Sequence, residues 1–335
     1  MRVLFFGTPE FAVPSLEALL SSSANRVVGV VTQPDKPRGR GQHVSASPVK
    51  QKAEAAGVPV WQPAKLRDEA FLDHVRALGP DLGVVAAYGK ILPESLLQIP
   101  RLGMINVHAS VLPKYRGAAP IQRAIIEGEK NTGVTIMRVV KELDAGAMLL
   151  ADWLTIGPNE TSEELEPRLA TLGAGLLLTA IDQLEQGKAN EIPQDDSKST
   201  YASRIQKVDG RLEWDQPAQA IHDRVRGLHP WPHAYTFHDR VRYVIHETRP
   251  YATINAAAET LTDDLAAMAK QHAEGAWPGT ILVAAKGHLV VSAGMGSAVE
   301  IRRLQEEGRK VVDARAFLAG RPLRPGMRFS PDEGL

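Results

Sequence analysis

The sequence contains no cysteine in its 335 residues. This excludes disulfide bonds, a thiol nucleophile and cysteine-based zinc sites, and it suits a reducing cytosol. Charge of one sign is not in excess either, because 39 basic residues balance 39 acidic residues, so bulk charge gives no support for nucleic acid binding. No apolar run approaches the length of a membrane span. We therefore expect a soluble cytoplasmic protein that does not enter a membrane.

The first half of the chain alternates apolar runs with helical patterns, which predicts an α/β domain with a Rossmann-like, doubly wound and mostly parallel sheet. The tetrapeptide Gly7-Thr8-Pro9-Glu10 lacks the further glycines of a dinucleotide fingerprint, so NAD binding is disfavoured. The predicted strands are Val3 to Phe6, Val27 to Val31, Val58 to Trp61, Leu82 to Ala86, Met104 to Val107 and Val134 to Val139. The predicted helices are near Phe11 to Leu20, Pro48 to Ala56, Asp68 to Leu78, Pro120 to Glu127 and Ser162 to Gln186.

A polar stretch separates this domain from a second one. Residues 190–206 are predicted to be a linker, so the two domains are expected at 1–189 and 207–335. One helix, Ala218 to Gly227, is followed by short β-rich runs, and this order predicts a small β barrel. The runs are Ala234 to Phe237, Val241 to His246, Thr280 to Ala284 and Leu289 to Ser292.

The most informative segment runs from Asn106 to Pro120. Asn106, His108 and Ser110 recur at every second position, so they project from one face of a strand that is predicted to end near Pro113. Ligands bind at the carboxyl ends of the strands in an open α/β sheet. The amide and the imidazole are therefore predicted to face a ligand together.

A carboxylate is expected at the same edge, because Asp144 follows the β-rich run Val134 to Val140. An amide N–H holds a developing oxyanion, an imidazole transfers a proton or stabilises the oxyanion, and a carboxylate orients the imidazole. Asn106, His108 and Asp144 are therefore predicted to catalyse acyl transfer to an amine without a nucleophilic side chain.

Several motifs are distributed over nearly the whole chain. They are FFGTPEFA at Phe5 to Ala12, TQPDKPRGRG at Thr32 to Gly41, VAAYGKILP at Val85 to Pro93, NVHASVLPKYRGAAP at Asn106 to Pro120, LDAG at Leu143 to Gly146, YASRIQKVDGRLEWD at Tyr201 to Asp215 and HPWPHAYT at His229 to Thr236. In this order they resemble the 10-formyltetrahydrofolate-dependent formyltransferases. The resemblance implies that the barrel is OB-like and that the formyl group of 10-formyltetrahydrofolate passes to the amino group of methionyl initiator tRNA, for translation initiation.

The resemblance also implies roles for single residues. Asn106, His108 and Asp144 match the family's catalytic residues, and Arg40 matches a tRNA-contacting arginine, with Lys36 and Arg38 beside it in a basic loop. The expected folate contacts are Ser110, Val111, Leu112, Pro113, Tyr88, Gly89, Ile91 and Leu92. At least one of the apolar pair Ile91 and Leu92 is expected to lie in the core instead.

The chain departs from the family pattern at two places. Asn255 to Gly275 is rich in alanine, acidic and helix-prone, and it reads as an insertion whose role the sequence does not define. Ala147 occupies a position where relatives often carry a polar residue or proline.

Three alternative functions would keep the same polar residues. A sugar-nucleotide formyltransferase would have little use for the basic loop and the barrel. A formyltetrahydrofolate hydrolase would use water as the acceptor and would be expected to carry a regulatory domain before the first strand. In a non-catalytic RNA-binding module, the same polar residues would be present but would have no catalytic role.

Metal binding is not expected from the sequence. His229 and His233 have a spacing that binds metals on a helix, but Pro230 and Pro232 exclude that helix. We therefore expect no metal, a folate cosubstrate and a monomeric protein.

Overall fold

The structure is a computed structural model that describes residues 1–38, 43–321 and 323–333. Two compact units divide the chain. The first comprises Met1–Ile121, Asn131–Thr155 and Glu164–Arg204, and the second comprises Gln122–Lys130, Ile156–Glu163 and the chain from Ile205 onward. Among the described residues, no helix combines the length and the apolar character needed to cross a bilayer.

The chain up to Ala202 contains strands β1 to β11 and helices α1 to α6. The strands are β1 (Arg2–Gly7), β2 (Arg26–Val31), β3 (Lys36–Arg38), β4 (His43–Ser45), β5 (Val60–Trp61), β6 (Leu82–Ala86), β7 (Met104–His108), β8 (Arg116–Gly117), β9 (Asn131–Arg138), β10 (Met148–Thr155) and β11 (Tyr201–Ala202). The helices are α1 (Val13–Ser21), α2 (Pro48–Ala55), α3 (Glu69–Leu78), α4 (Glu94–Leu97), α5 (Pro120–Ile126) and α6 (Ser162–Glu185).

The main sheet of the first unit has the strand order β10-β9-β7-β6-β1-β2-β5. The strands from β7 to β5 are parallel, while β9 is antiparallel to β7 and β10 is antiparallel to β9. The strand order reverses beside β1, because the chain first adds β2 and β5 on one side of β1 and then adds β6 and β7 on the other side. Ligands bind outside the carboxyl ends of the strands at such a switch point. The predicted doubly wound, mostly parallel fold is confirmed.

Continuous apolar runs form the centre of this sheet. Residues 3–6 of β1 and 82–86 of β6 are buried without alternation, as expected for strands that are covered on both faces. The predicted end of this strand near Pro113 is wrong, since β7 ends at His108. Beyond His108 the backbone N–H of Leu112 donates to the Thr135 hydroxyl (3.1 Å), so a side chain replaces the strand ladder.

The rest of the chain contains strands β12 to β17 and helices α7 to α10. They are α7 (Ala218–Gly227), β12 (Ala234–His238), β13 (Val241–Tyr251), α8 (Ile254–Ala258), α9 (Asp263–Ala273), β14 (Ile281–Ala285), β15 (His288–Ser292), β16 (Ala298–Glu306), β17 (Val312–Asp313) and α10 (Ala314–Gly320). Helices α8 and α9 occupy the helix-prone segment Asn255 to Gly275, and buried Leu265 and Ala269 belong to a core cluster with residues of β14 and β15.

The second unit is a closed antiparallel barrel. Its strands follow the order β12-β13-β16-β15-β14, with β17 paired to β16. The segment Met327–Ser330, here called the closing segment, bonds to both edge strands. Phe237 of β12 and Ser330 exchange two backbone hydrogen bonds of 2.8 Å, and the N–H of Ile281 donates to Met327 at 2.7 Å. The predicted small barrel is confirmed, because the closing segment bonds to both edge strands, β12 and β14.

Candidate active site

Strand β7 presents the predicted amide and imidazole at the carboxyl edge of the sheet. Asn106 and His108 are two residues apart on the strand and so share a face. His108 is buried, with 5% of its surface exposed, whereas Asn106 is half-buried. His108 stands opposite Thr135 of β9 in the register.

One hydrogen bond fixes the orientation of the imidazole. Nε2 of His108 lies 2.9 Å from the backbone carbonyl oxygen of Tyr115. Because a carbonyl oxygen only accepts, Nε2 carries a proton and donates it. Nδ1 then faces the carboxylate of Asp144, whose Oδ2 lies 3.8 Å away. This distance exceeds a direct hydrogen bond. The structure thus brings His108 and Asp144 together with Nδ1 turned towards the carboxylate.

One backbone N–H holds the carboxylate of Asp144, and a side-chain amide holds its backbone. The N–H of Gly117 donates to Oδ2 at 2.9 Å, a charge-assisted bond. Gly117 has a φ of 122°, and a Cβ there would lie 2.7 Å from the carbonyl oxygen of Ala202, so this position requires glycine. Nε2 of Gln194 donates to the carbonyl oxygens of Asp144 and Gly146, both at 2.8 Å.

Residues 194–202 brace the loop that carries Tyr115 and Gly117, although the sequence placed them in a linker. The backbone N–H of Tyr115 donates to the Thr200 hydroxyl at 2.9 Å, and β11 pairs in parallel with β8. Arg116 donates from Nε to Oε1 of Gln194 at 3.0 Å. Sequence reasoning missed Gln194 and Thr200, because a polar residue in a polar stretch carries no periodic signal.

The candidate folate segment Ser110 to Pro113 has a fixed backbone. The Thr135 hydroxyl donates to the carbonyl oxygen of Ser110 at 2.8 Å while it accepts from the N–H of Leu112. The Ser110 hydroxyl donates to the carbonyl oxygen of Lys114 at 2.6 Å. Ser110 and Leu112 are buried, and Val111 and Pro113 are half-buried.

A second candidate segment follows β6. The Thr8 hydroxyl donates to the carbonyl oxygen of Tyr88 at 3.3 Å, which ties the ends of β1 and β6 together at the switch point. Burial raises the pKa of Tyr88 to about 12, and no described residue bonds to its buried hydroxyl. Gly89 has a φ of 79°. Leu92 lies in the core while Ile91 is 83% exposed, so the expectation that at least one of them is core is confirmed.

The three candidate tRNA residues are only partly covered by the structure. Lys36 and Arg38 lie in β3, which pairs antiparallel with β4. Arg40 lies outside the described residues.

The fold and the site define the class of the protein as an α/β group-transfer enzyme with an antiparallel barrel as its second unit. Two family models match the chain: "Formyl transferase" over residues 1–181 and "Formyl transferase, C-terminal domain" over residues 204–322. The chain also resembles a solved sugar 3N-formyl transferase, WlaRD, determined in the presence of dTDP and 5-N-formyl-THF. The TM-score is 0.64 and the identity 17%, with 92% of this chain and 99% of that chain covered. At this identity the likeness is one of fold.

Curated relatives narrow the class. A methionyl-tRNA formyltransferase of Synechococcus sp. is 46% identical over 334 residues, which covers 99% of each chain. The enzyme of the same name from Moorella thermoacetica is 42% identical over 326 residues, covering 97% of this chain and 98% of the relative. The chain therefore belongs to the methionyl-tRNA formyltransferase family.

Proposed function

We propose that the protein transfers the formyl group of 10-formyltetrahydrofolate to the amino group of methionyl initiator tRNA. Family membership along the full chain supports this acceptor and this folate-derived donor. The observation that carries the chemistry is the pair His108 and Asp144 at the carboxyl edge of the sheet, with Nδ1 and Oδ2 3.8 Å apart. Because charged tRNA is used by ribosomes, we place the reaction in the cytoplasm, and we expect a monomer to perform it.

The proposed reaction begins when the neutral amine attacks the formyl carbon. A new C–N bond forms, and the carbonyl electron pair moves to oxygen and leaves a tetrahedral oxyanion. Collapse of this intermediate breaks the bond between the formyl carbon and N10 of the folate. The amine loses a proton and N10 gains one, so the reaction consumes no external acid or base.

Each polar side chain has a defined part in this proposal. The amide N–H of Asn106 stabilises the oxyanion. Nδ1 of His108 meets the reacting groups and transfers the proton, because its Nε2–H is already bonded to Tyr115. Asp144, whose Oδ2 lies 3.8 Å from Nδ1, orients the imidazole. The N–H of Gly117 and the side-chain amide of Gln194 keep Asp144 in place before substrate binds.

Substrate contacts are proposed on either side of this centre. Segments 110–113 and 88–92 follow β7 and β6, and we propose that they line the folate pocket. The basic loop with Lys36, Arg38 and Arg40 is proposed to contact tRNA phosphates, an interaction that weakens as the salt concentration rises.

The decisive experiment is a formyl-transfer assay with methionyl initiator tRNA, run beside uncharged tRNA and with the Asn106→Ala variant as control. We expect product only with charged tRNA and the intact protein. Folate turnover without transfer would instead support hydrolysis or another amine acceptor. Absence of all folate chemistry would support the binding-module alternative.

A further inference from the structure

Imidazole side chains converge in the second unit at a place that the proposed reaction does not use. His229 and His233 lie in the loop before β12, and His246 lies on β13. One ring nitrogen from each lies within 4.8 Å of the others, and all of these residues are half-buried. The ring centroids are 5.2 Å apart for His229 and His233, and 4.5 Å apart for His233 and His246.

The antiparallel hairpin creates this cluster. Ala234 of β12 pairs with Ile245 of β13, so the next register position brings His233 opposite His246. The backbone N–H of His233 donates to Leu228 at 3.0 Å, which folds the loop back. The sequence spacing relates only His229 and His233, whereas the pairing of β12 with β13 adds His246 as a third candidate ligand.

Hydrogen bonds turn one nitrogen of each outer ring towards the cluster. Nε2 of His229 donates to Oε2 of Glu163 at 3.0 Å, while its Nδ1 is buried and bonds to no described residue. Nε2 of His246 lies 3.2 Å from Oε1 of Gln305. That amide is oriented because its own Nε2 donates to the carbonyl oxygen of Arg309 at 2.6 Å.

The carboxylate oxygen of Glu163 and the amide oxygen of Gln305 are hydrogen-bond acceptors. The Nε2 atoms of His229 and His246 therefore carry the protons, and their Nδ1 atoms keep a lone pair. Metal-ligating histidines have this arrangement, with the second ring nitrogen donating to a carboxylate or carbonyl group. The ring of His233 lies beside both of these rings and bonds to no described residue.

We propose that His229, His233 and His246 bind one Zn²⁺ ion, with water in the fourth position and Glu163 as a positioning residue for His229. Imidazole ligands suit zinc and other late divalent metals, and they exclude sites for magnesium and calcium, which prefer oxygen. At Zn–N distances of 2.0–2.1 Å, tetrahedral ligand atoms are about 3.3 Å apart. Binding therefore requires the ring nitrogens to approach one another from distances of up to 4.8 Å.

The bound ion would cross-link the loop before β12 to strand β13. All of its ligands belong to the second unit, whereas Asn106, His108 and Asp144 belong to the first. We therefore expect zinc to raise the stability of the second unit without changing formyl transfer.

The test uses the full chain without an affinity tag, after removal of metals with a chelator. Calorimetric titration with ZnCl₂ is expected to show one tight site per chain, and Co²⁺ is expected to give the visible absorption of a tetrahedral nitrogen site. His233→Gln and His246→Gln should abolish both signals. Glu163→Gln should weaken zinc binding by about 10- to 100-fold, because it removes the partner that orients the ring.

The matched control is His272→Gln, since His272 lies on α9 outside the cluster and should bind zinc like the wild type. Equal unfolding temperatures in the presence of chelator show that each variant still folds. Zinc binding that survives in the cluster variants would overturn the proposal. Binding only at millimolar zinc, or an equal loss in the His272 variant, would overturn it as well.

Discussion

The hydroxyl of Thr135 provides the sharpest test of how the candidate site is built. It bridges the carbonyl oxygen of Ser110 at 2.8 Å and the N–H of Leu112 at 3.1 Å, and all of these residues are buried. Thr135→Val keeps the shape of the side chain and leaves one buried acceptor and one buried donor unpaired. Each such group costs about 1–3 kcal/mol, so we expect a loss of about 3 kcal/mol in the free energy of unfolding.

The matched variant is Thr135→Ser, which keeps the hydroxyl and removes one methyl group. Its expected cost is about 1 kcal/mol, from the lost burial of a single carbon. For a unit of this size, 1 kcal/mol lowers the unfolding temperature by about 2–4 °C, so about 6–12 °C is expected for valine and about 2–4 °C for serine. Differential scanning calorimetry measures the unfolding temperatures of both variants. Segment 110–113 should also bind folate more weakly in the valine variant, which KM reports.

The relative stability of the two variants tests whether the hydroxyl of Thr135 holds the loop. Valine is the more hydrophobic substitute, so burial alone would make Thr135→Val the milder change. A valine variant as stable as the serine variant would refute the reasoning that this hydroxyl holds the loop.

Three further predictions concern other parts of the chain. His108→Ala is expected to lower kcat for formyl transfer by about 10²- to 10⁴-fold with little change in KM, because the variant loses the proton-transfer group and keeps the substrate contacts. Steady-state kinetics measures both constants, and an unchanged kcat would contradict the prediction. Gln194→Ala removes two hydrogen bonds of 2.8 Å to the loop of Asp144 and is expected to lower kcat by about 10- to 100-fold. The control variant Gln186→Ala changes an exposed glutamine and should leave kcat unchanged. Burial lowers the pKa of His222, so the unfolded chain binds a proton more readily than the folded chain, and the free energy of unfolding falls as the pH drops below the ordinary histidine pKa. His222→Gln should reduce the difference in the free energy of unfolding between pH 7 and pH 5, measured by urea denaturation. An unchanged difference would argue against this role of His222.

Continuous apolar runs made much of the fold predictable. The predicted bounds of β6 and α7 agree with the structure, because each segment has a strong local pattern between clear turn residues. Strand β16 was not predicted, since charged residues interrupt its apolar pattern: Glu300 is buried, Arg302 and Arg303 are exposed, and the burial depends on the neighbouring strands β13 and β15. Strand β10 was missed for a similar reason, being largely exposed.

The site was predictable where it lies on one strand. The period-two pattern indicated that Asn106 and His108 share a face, and the end of the next strand indicated Asp144. Gln194 could not be found in this way, because its contact with Asp144 joins residues 50 positions apart. His246 was missed likewise, since only the pairing of β12 with β13 brings it to His233.

The closing segment has a consequence for how the protein is made. Strands β12 and β14 are synthesised well before Met327–Ser330, and this segment bonds to both of them. Until this segment has left the ribosome, Phe237 of β12 and Ile281 of β14 lack these backbone partners. Unpaired strand edges pair readily with other chains. A premature stop codon shortly before Met327 removes the backbone partners of both edge strands, and we expect the truncated chain to aggregate in the cell.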